Sequence, residues 1–167
     1  MSLNWFEPNS DGEASGFVTG ALTSTMQGRL AFRARTEGGY VYNLTQQRDE
    51  LQLEEQSIRG MLAWQPLDTL DLNFKIEHSV RNQLGRTYQI VDRGILNESA
   101  QSTVGLDDIR DTNGREYNDI NTDNFTLTGR WDVGGHELTS VTGFSAYDVT
   151  DFFDADGSAV DSVLVLG

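Results

Sequence analysis

The chain has 167 residues, a formal net charge of −14, 37% hydrophobic side chains, two Pro, 17 Gly and no Cys. The length suits one domain, and the acidic excess argues against a nucleic-acid or anionic-surface partner. Without Cys there is no disulfide framework, thiol nucleophile or ordinary zinc site, and no window of eighteen apolar residues offers a membrane-spanning helix. What remains is rich in Thr, Ser, Asn, Asp and Gln, which favours strands and turns, so all-β is the expected class.

In chain order, residues 1–13 carry neither the basic stretch nor the apolar run of a signal peptide. Met1-Ser2-Leu3 resembles an artificial start, and 1–13 is expected to be linker. A first hairpin is expected over about 16–35. There 16–22 turns through 23–28 into 29–35, with Leu30, Phe32 and Ala34 on one face and Arg29, Arg33 and Arg35 on the other. Residues 37–56 are polar and read as a long loop. The second hairpin, about 58–77, has the clearest alternation: Ile58, Gly60, Leu62 and Trp64, a stop at Pro66, then Leu70, Leu72, Phe74 and Ile76 opposite Asp71, Asn73, Lys75 and Glu77. A helix of period 3.6 would scatter these apolar residues around its circumference.

Residues 80–122 are rich in Arg, Asp, Gln, Asn and Gly and read as a second, longer loop, of a length that usually signals function. The third hairpin, about 124–149, sets Phe125, Leu127, Gly129 and Trp131 against Thr126, Thr128 and Arg130 and turns at 132–135. Residues 14–157 thus form one unit of six strands in three hairpins, and 158–167 is expected to begin the next segment. Short turns lie at one end of the sheet and long polar loops at the other.

Such strands suit a soluble sandwich, where the apolar face meets a second sheet. They equally suit a transmembrane barrel, where it meets lipid and the polar face lines a wet lumen. The barrel reading requires closure, because open sheet edges in hydrocarbon leave backbone groups unpaired. Six or seven strands are therefore expected to be an arc of a larger barrel, prone to self-association through its edges. Under this reading Arg29, Arg33 and Arg35 face the lumen. Trp64, Tyr40, Tyr42, Trp131 and Tyr147 form interfacial girdles.

The ordered motifs resemble one family. The run Gly16-Phe17-Val18-Thr19-Gly20-Ala21-Leu22, the turn through Gly28 and the strand from Arg29 to Arg35 resemble early barrel strands of TonB-dependent outer-membrane receptors. So do Gly38-Gly39-Tyr40-Val41-Tyr42-Asn43, the Arg59-Gly60 to Leu72 hairpin, and the return strand His136-Glu137-Leu138-Thr139-Ser140-Val141-Thr142-Gly143-Phe144. The resemblance covers most of 14–157 and implies a place in the outer membrane of a Gram-negative cell. It implies active uptake of a scarce ligand such as a siderophore, vitamin or oligosaccharide, without enzymatic activity or cofactor. Partners implied are outer-membrane lipid, the ligand and the TonB complex, the last through a plug domain that these residues do not supply. The chain is expected to be about a quarter of a barrel of roughly 22 strands. The alternative is a soluble or secreted β-sandwich that binds carbohydrate or calcium.

Other chemistry is thinly represented. Asp154-Ala155-Asp156-Gly157-Ser158 with Asp161 loosely resembles a calcium loop, but position 12 is Val165 rather than Glu, so a solvated loop is expected. His78 and His136 lie on different hairpins with no adjacent acid at ligand spacing. No phosphate-binding glycine loop and no G-x-S-x-G nucleophile elbow occurs. No catalytic, metal or cofactor residue is assigned, and ligand contacts are expected somewhere in 80–122.

Overall fold

The structure, a computed structural model, describes residues 2–6, 11–86, 108–155 and 157–159. Among these residues ten strands make two sheets. They are β1 (Ser2–Phe6), β2 (Asp11–Ala21), β3 (Met26–Glu37), β4 (Val41–Asn43), β5 (Arg48–Glu50), β6 (Gln52–Leu67), β7 (Leu70–Leu84), β8 (Ile109–Arg110), β9 (Tyr117–Val133) and β10 (His136–Phe152). The large sheet is an antiparallel meander in the order β1-β2-β3-β6-β7-β9-β10, and the small one runs β5-β4-β8. The chain is all-β, as its alternation implies.

The three hairpins form where expected, with strands longer than the alternation shows. β6 and β7 run over Gln52–Leu67 and Leu70–Leu84, against an expected 58–77. β9 and β10 reach Tyr117 and Phe152, against 124–149. Residues 37–56 are accordingly not a plain loop, since they hold β4, β5 and the start of β6. Likewise 80–122 contains the end of β7, all of β8 and the start of β9, while 87–107 lie outside the described residues. The extensions show no apolar alternation in the sequence because both of their faces are mostly polar, with apolar residues as scattered as Leu53, Val80, Leu84 and Ile120. Pro66 does not end its strand: pairing is irregular between Trp64 and Leu67, and a bulge accommodates a residue with no N–H. Ser2–Phe6 is likewise a strand, paired with β2 rather than forming linker.

The register carries a regular stagger. Met26 pairs with Trp64, Trp64 with Leu72, Leu72 with Gly129 and Gly129 with Ser140, which defines one level across the sheet. The first hairpin closes at this level, where the Leu22 amide donates to the Met26 carbonyl. The second closes at Leu67 and Leu70, two residues further on. Leu70 faces Trp131, and the third hairpin closes at Val133 and His136, two residues further again. Each strand thus steps by one residue. With about 3.3 Å per residue and about 4.8 Å between strands, the strands lean about 35° from the normal to a plane through the three turns. Transmembrane barrels tilt their strands by about 35–45°.

Buried hydrophobic residues are few. Among the described residues only Val41, Leu51 and Leu53 qualify, and all three sit at the loop end of the large sheet. Among the described residues no second sheet packs over Leu70, Leu72, Phe74 and Ile76; the first three are half-buried and Ile76 is 64% exposed. A water-soluble domain of this size normally buries well over half of its chain surface around an apolar interior.

Candidate functional site

Because residues paired across a ladder point to the same side, the register sorts every side chain of the large sheet onto one of two faces. One face carries an apolar belt. It comprises 26–34 on β3 (Met26, Leu30, Phe32, Ala34), 58–64 on β6 (Ile58, Leu62, Trp64) and 70–76 on β7 (Leu70, Leu72, Phe74, Ile76). It continues over 125–133 on β9 (Phe125, Leu127, Trp131, Val133) and onto Leu138, Phe144 and Ala146 of β10. Glycine, serine and threonine fill the gaps, and no charged side chain interrupts it. Allowing for the tilt, the outermost Cα atoms of the belt are about 16–22 Å apart along the plane normal. Side-chain reach at both borders brings this close to the outward apolar band of about 25 Å in outer-membrane barrels.

The belt follows the stagger. Measured from the Met26 level, its loop-side border stands eight residues away at Ala34 on β3 and six at Ile58 on β6. It stands four residues away at Ile76 on β7 and at Phe125 on β9. On β10 it stands six residues away, at Ala146, so border and turns slant in the same sense from β3 to β9. Beyond the border this face turns acidic, with Glu54, Asp119, Asp123 and Asp148, and His78 Nδ1 lies 2.7 Å from Asp123 Oδ1. That acid for His78 comes from a different hairpin, which is why residue spacing could not reveal it.

The other face is mainly polar, with Phe17, Leu53, Met61, Ile120, Val141 and Val149 as its larger aliphatic and phenyl exceptions. All seven Lys and Arg residues of the large sheet project from it: Arg29, Arg33, Arg35, Arg59, Lys75, Arg81 and Arg130. Arg33 bridges Glu13 at 2.9 Å and Glu55 at 3.5 Å, Arg35 pairs with Glu37, and Arg59 pairs with Glu77. The expected placement of Arg29, Arg33 and Arg35 opposite the apolar residues is observed.

At the loop end a buried ionic cluster ties three chain segments together. Arg110, on β8, reaches Glu50 Oε2 at 3.1 Å and Glu116 Oε2 at 2.6 Å and donates to the Arg86 carbonyl at 2.9 Å. Asn43 donates to Glu50 Oε1 and to Thr112, and Glu116 Oε1 accepts the Asp154 amide. Glu50 and Glu116 are completely buried. A buried carboxylate is tolerated only when paired and hydrogen-bonded, and here Arg110 serves both, with Arg48 also 3.5 Å from Glu50. Gly39 and Gly85 hold φ near +80°, and a Cβ on either would press on Glu50. Leu51 adopts φ of 68°, and its amide donates to the Leu84 carbonyl as the chain bends from the small sheet into β6. The flanks of the long loop, Leu84 to Arg86 and Asp108 to Glu116, are thereby pinned together.

Some expectations for individual residues need correcting. Asp154 is buried rather than solvated, and its carboxylate accepts the amides of Gly114 and Gly157, so it serves as a backbone clamp. Asp156 lies outside the described residues. Of the five expected girdle residues, only Trp64 and Trp131 sit on the apolar face, both at its turn-side border. Tyr147 projects from the polar face, and Tyr40 and Tyr42 belong to the loop end. Asp151, beyond the belt on β10, pairs with Arg86, which together with the Asn118 amide holds its carboxyl below the usual range. Cluster residues such as Glu50, Arg110 and Glu116 were not foreseen, because only the folded loops bring them together. Comparison with protein-family models, with curated proteins and with solved structures finds no match to the chain.

Proposed function

We propose that this chain is a sector of the wall of an outer-membrane β-barrel, from a TonB-dependent receptor that takes up a scarce ligand such as a siderophore, vitamin or oligosaccharide. One observation carries the membrane part of the reading. An uncharged apolar belt, uncovered by any second layer among the described residues, slants from β3 to β9 in step with the turns, as a lipid band does on tilted strands. The sorting of every Lys and Arg of the sheet to the opposite face supports it, since Arg facing mid-bilayer lipid costs about 2–4 kcal/mol. The receptor and uptake part rests on the ordered motifs of 14–157 and on the ion-tied loop end, which holds the loops above the wall. Such a wall acts by position rather than by chemistry, and the TonB complex would power it through the plug domain of such receptors. Strand edges β1 and β10 would be met by neighbouring barrel strands or by a second copy.

Three Trp residues offer a direct test. In a Trp5→Phe variant only Trp64 and Trp131 emit. In vesicles of lipids brominated along the acyl chain, their fluorescence should shift to the blue and be quenched. Water-like, unquenched emission from both would overturn the membrane reading. The sandwich alternative, for carbohydrate or calcium, needs a second layer over Leu70, Leu72, Phe74 and Ile76 and would give that second outcome.

A further inference from the structure

The polar face holds a notch of about 360 Å³ where β2, β3, β6, β7 and β9 run side by side; Gln27, Asn73, Thr126 and Thr128 are among its walls, together with Arg29 and Lys75. Arg29 and Lys75 share one ladder level, with Met61 between them, so their backbones stand two strand spacings apart, about 10 Å. Among the described residues neither forms an ion pair. Directly across from Arg29 are Thr19 and Met61, and its diagonal neighbours are Phe17, Ala21, Arg59 and Ala63. Across from Lys75 are Met61 and Thr126, and its diagonals are Arg59, Ala63, Asn124 and Thr128. None is acidic. The nearest carboxylate along β7, Glu77, is engaged by Arg59.

This is unusual in a chain with 26 Asp and Glu against 12 Lys and Arg. On the same face, Arg33, Arg35 and Arg59 each hold a carboxylate, and Arg130 stands directly across from Asp71. Arg29 instead rests its guanidinium 4.1 Å above the Phe17 ring. An exposed contact of that kind is weaker than a charge-assisted hydrogen bond to an oxyanion, so the guanidinium is free to swing into the notch. Gln27, Asn73, Thr126 and Thr128 add amide and hydroxyl donors at the same site, beside the apolar Met61 and Ala63.

We infer that this notch binds an oxyanion, a carboxylate or phosphate group of a small molecule, with Arg29 and Lys75 as its charged anchors. The inference deepens the uptake reading, because that reading turns this face toward the lumen and thus onto the ligand's path. The geometry of the notch does not depend on a membrane. Isothermal titration of the full chain, folded in zwitterionic detergent at low salt, tests it with inorganic phosphate and with citrate as probes. At least one of them should saturate at one site. Lys75→Gln and Arg29→Gln should each weaken that binding by about tenfold or more. Lys75→Arg should retain it within a few-fold, and Arg81→Gln, a cation of the same face outside the notch, should leave it unchanged. Failure of both anions to saturate overturns the inference, and so does an Arg81→Gln loss as large as that of Lys75→Gln. Because Lys75→Gln leaves the belt intact, quenching by brominated lipid should persist in it, which separates failure of this site from failure of the membrane reading.

Discussion

Leu30 and Phe125 stand on one level of the ladder, since Leu30 pairs with Gly60, Gly60 with Ile76 and Ile76 with Phe125. The slant of the belt nevertheless assigns them different depths. Leu30 lies midway between Met26 and Ala34, whereas Phe125 is the last apolar residue of its strand before Asp123. An outward Arg costs about 2–4 kcal/mol at the bilayer midplane and about 0–1 near its borders. At about 1.36 kcal/mol per tenfold, Leu30→Arg should lower vesicle partitioning about 30- to 900-fold, and Phe125→Arg no more than about fivefold. Asn73→Arg, at mid-belt height but on the polar face, should change little. The assay is partitioning of each purified variant between buffer and sedimented vesicles. Equal losses at Leu30 and Phe125, or the largest loss at Asn73, would refute the tilted belt.

Three further outcomes concern the loop end. Arg110→Met removes the guanidinium that Glu50 and Glu116 share, and loss of one partner of a buried pair costs about 3–5 kcal/mol. Amide exchange at Tyr42 and Leu44, which bond to Asp108 and Arg110, should then rise a hundredfold or more, with β6 and β7 unaffected. Gly39→Ala forces a Cβ within 2.3 Å of the Glu50 carbonyl at φ +80° and should destabilise the small sheet by more than about 1 kcal/mol. Gly20→Ala meets nothing within 4 Å, so limited proteolysis should distinguish the two variants. The tie between Asp151 and Arg86 lowers the folded value of that carboxyl. Its contribution is therefore complete above the ordinary Asp value of about 3.9 and is lost as pH falls through the lower one. Carboxyl carbon NMR should place the Asp151 midpoint below that of free Asp, and Arg86→Gln should raise it.

The sequence revealed the parts of the fold in which neighbouring residues differ in polarity. Leu70, Leu72, Phe74 and Ile76 alternate with charged or amide side chains, so their strand, face and hairpin were all readable. Beyond Ile76 the pattern gives way to His78, Ser79, Arg81, Asn82 and Gln83, with only Val80 and Leu84 apolar, so both faces are mostly polar and backbone pairing carries most of the strand. Period-2 reasoning is blind there, so strand lengths were underestimated. The loop-end cluster was illegible for another reason. Glu50, Arg110 and Glu116 look like ordinary solvated charges in polar stretches, and only β4's parallel pairing with β8, across 66 intervening positions, brings them together. Stagger was also out of reach, since it is a property of register between hairpins rather than of any one strand.

The central claim is that the even-numbered residues of β7 from 70 to 76 face hydrocarbon and the odd-numbered ones face water. Because the chain has no Cys, single cysteines at each position from 70 to 77 can carry a nitroxide label without background. Electron paramagnetic resonance of the labelled chain in vesicles should show oxygen collisions highest at 70, 72, 74 and 76, and nickel-chelate collisions highest at 71, 73, 75 and 77. A flat profile, or one with the two reagents exchanged, would contradict the account.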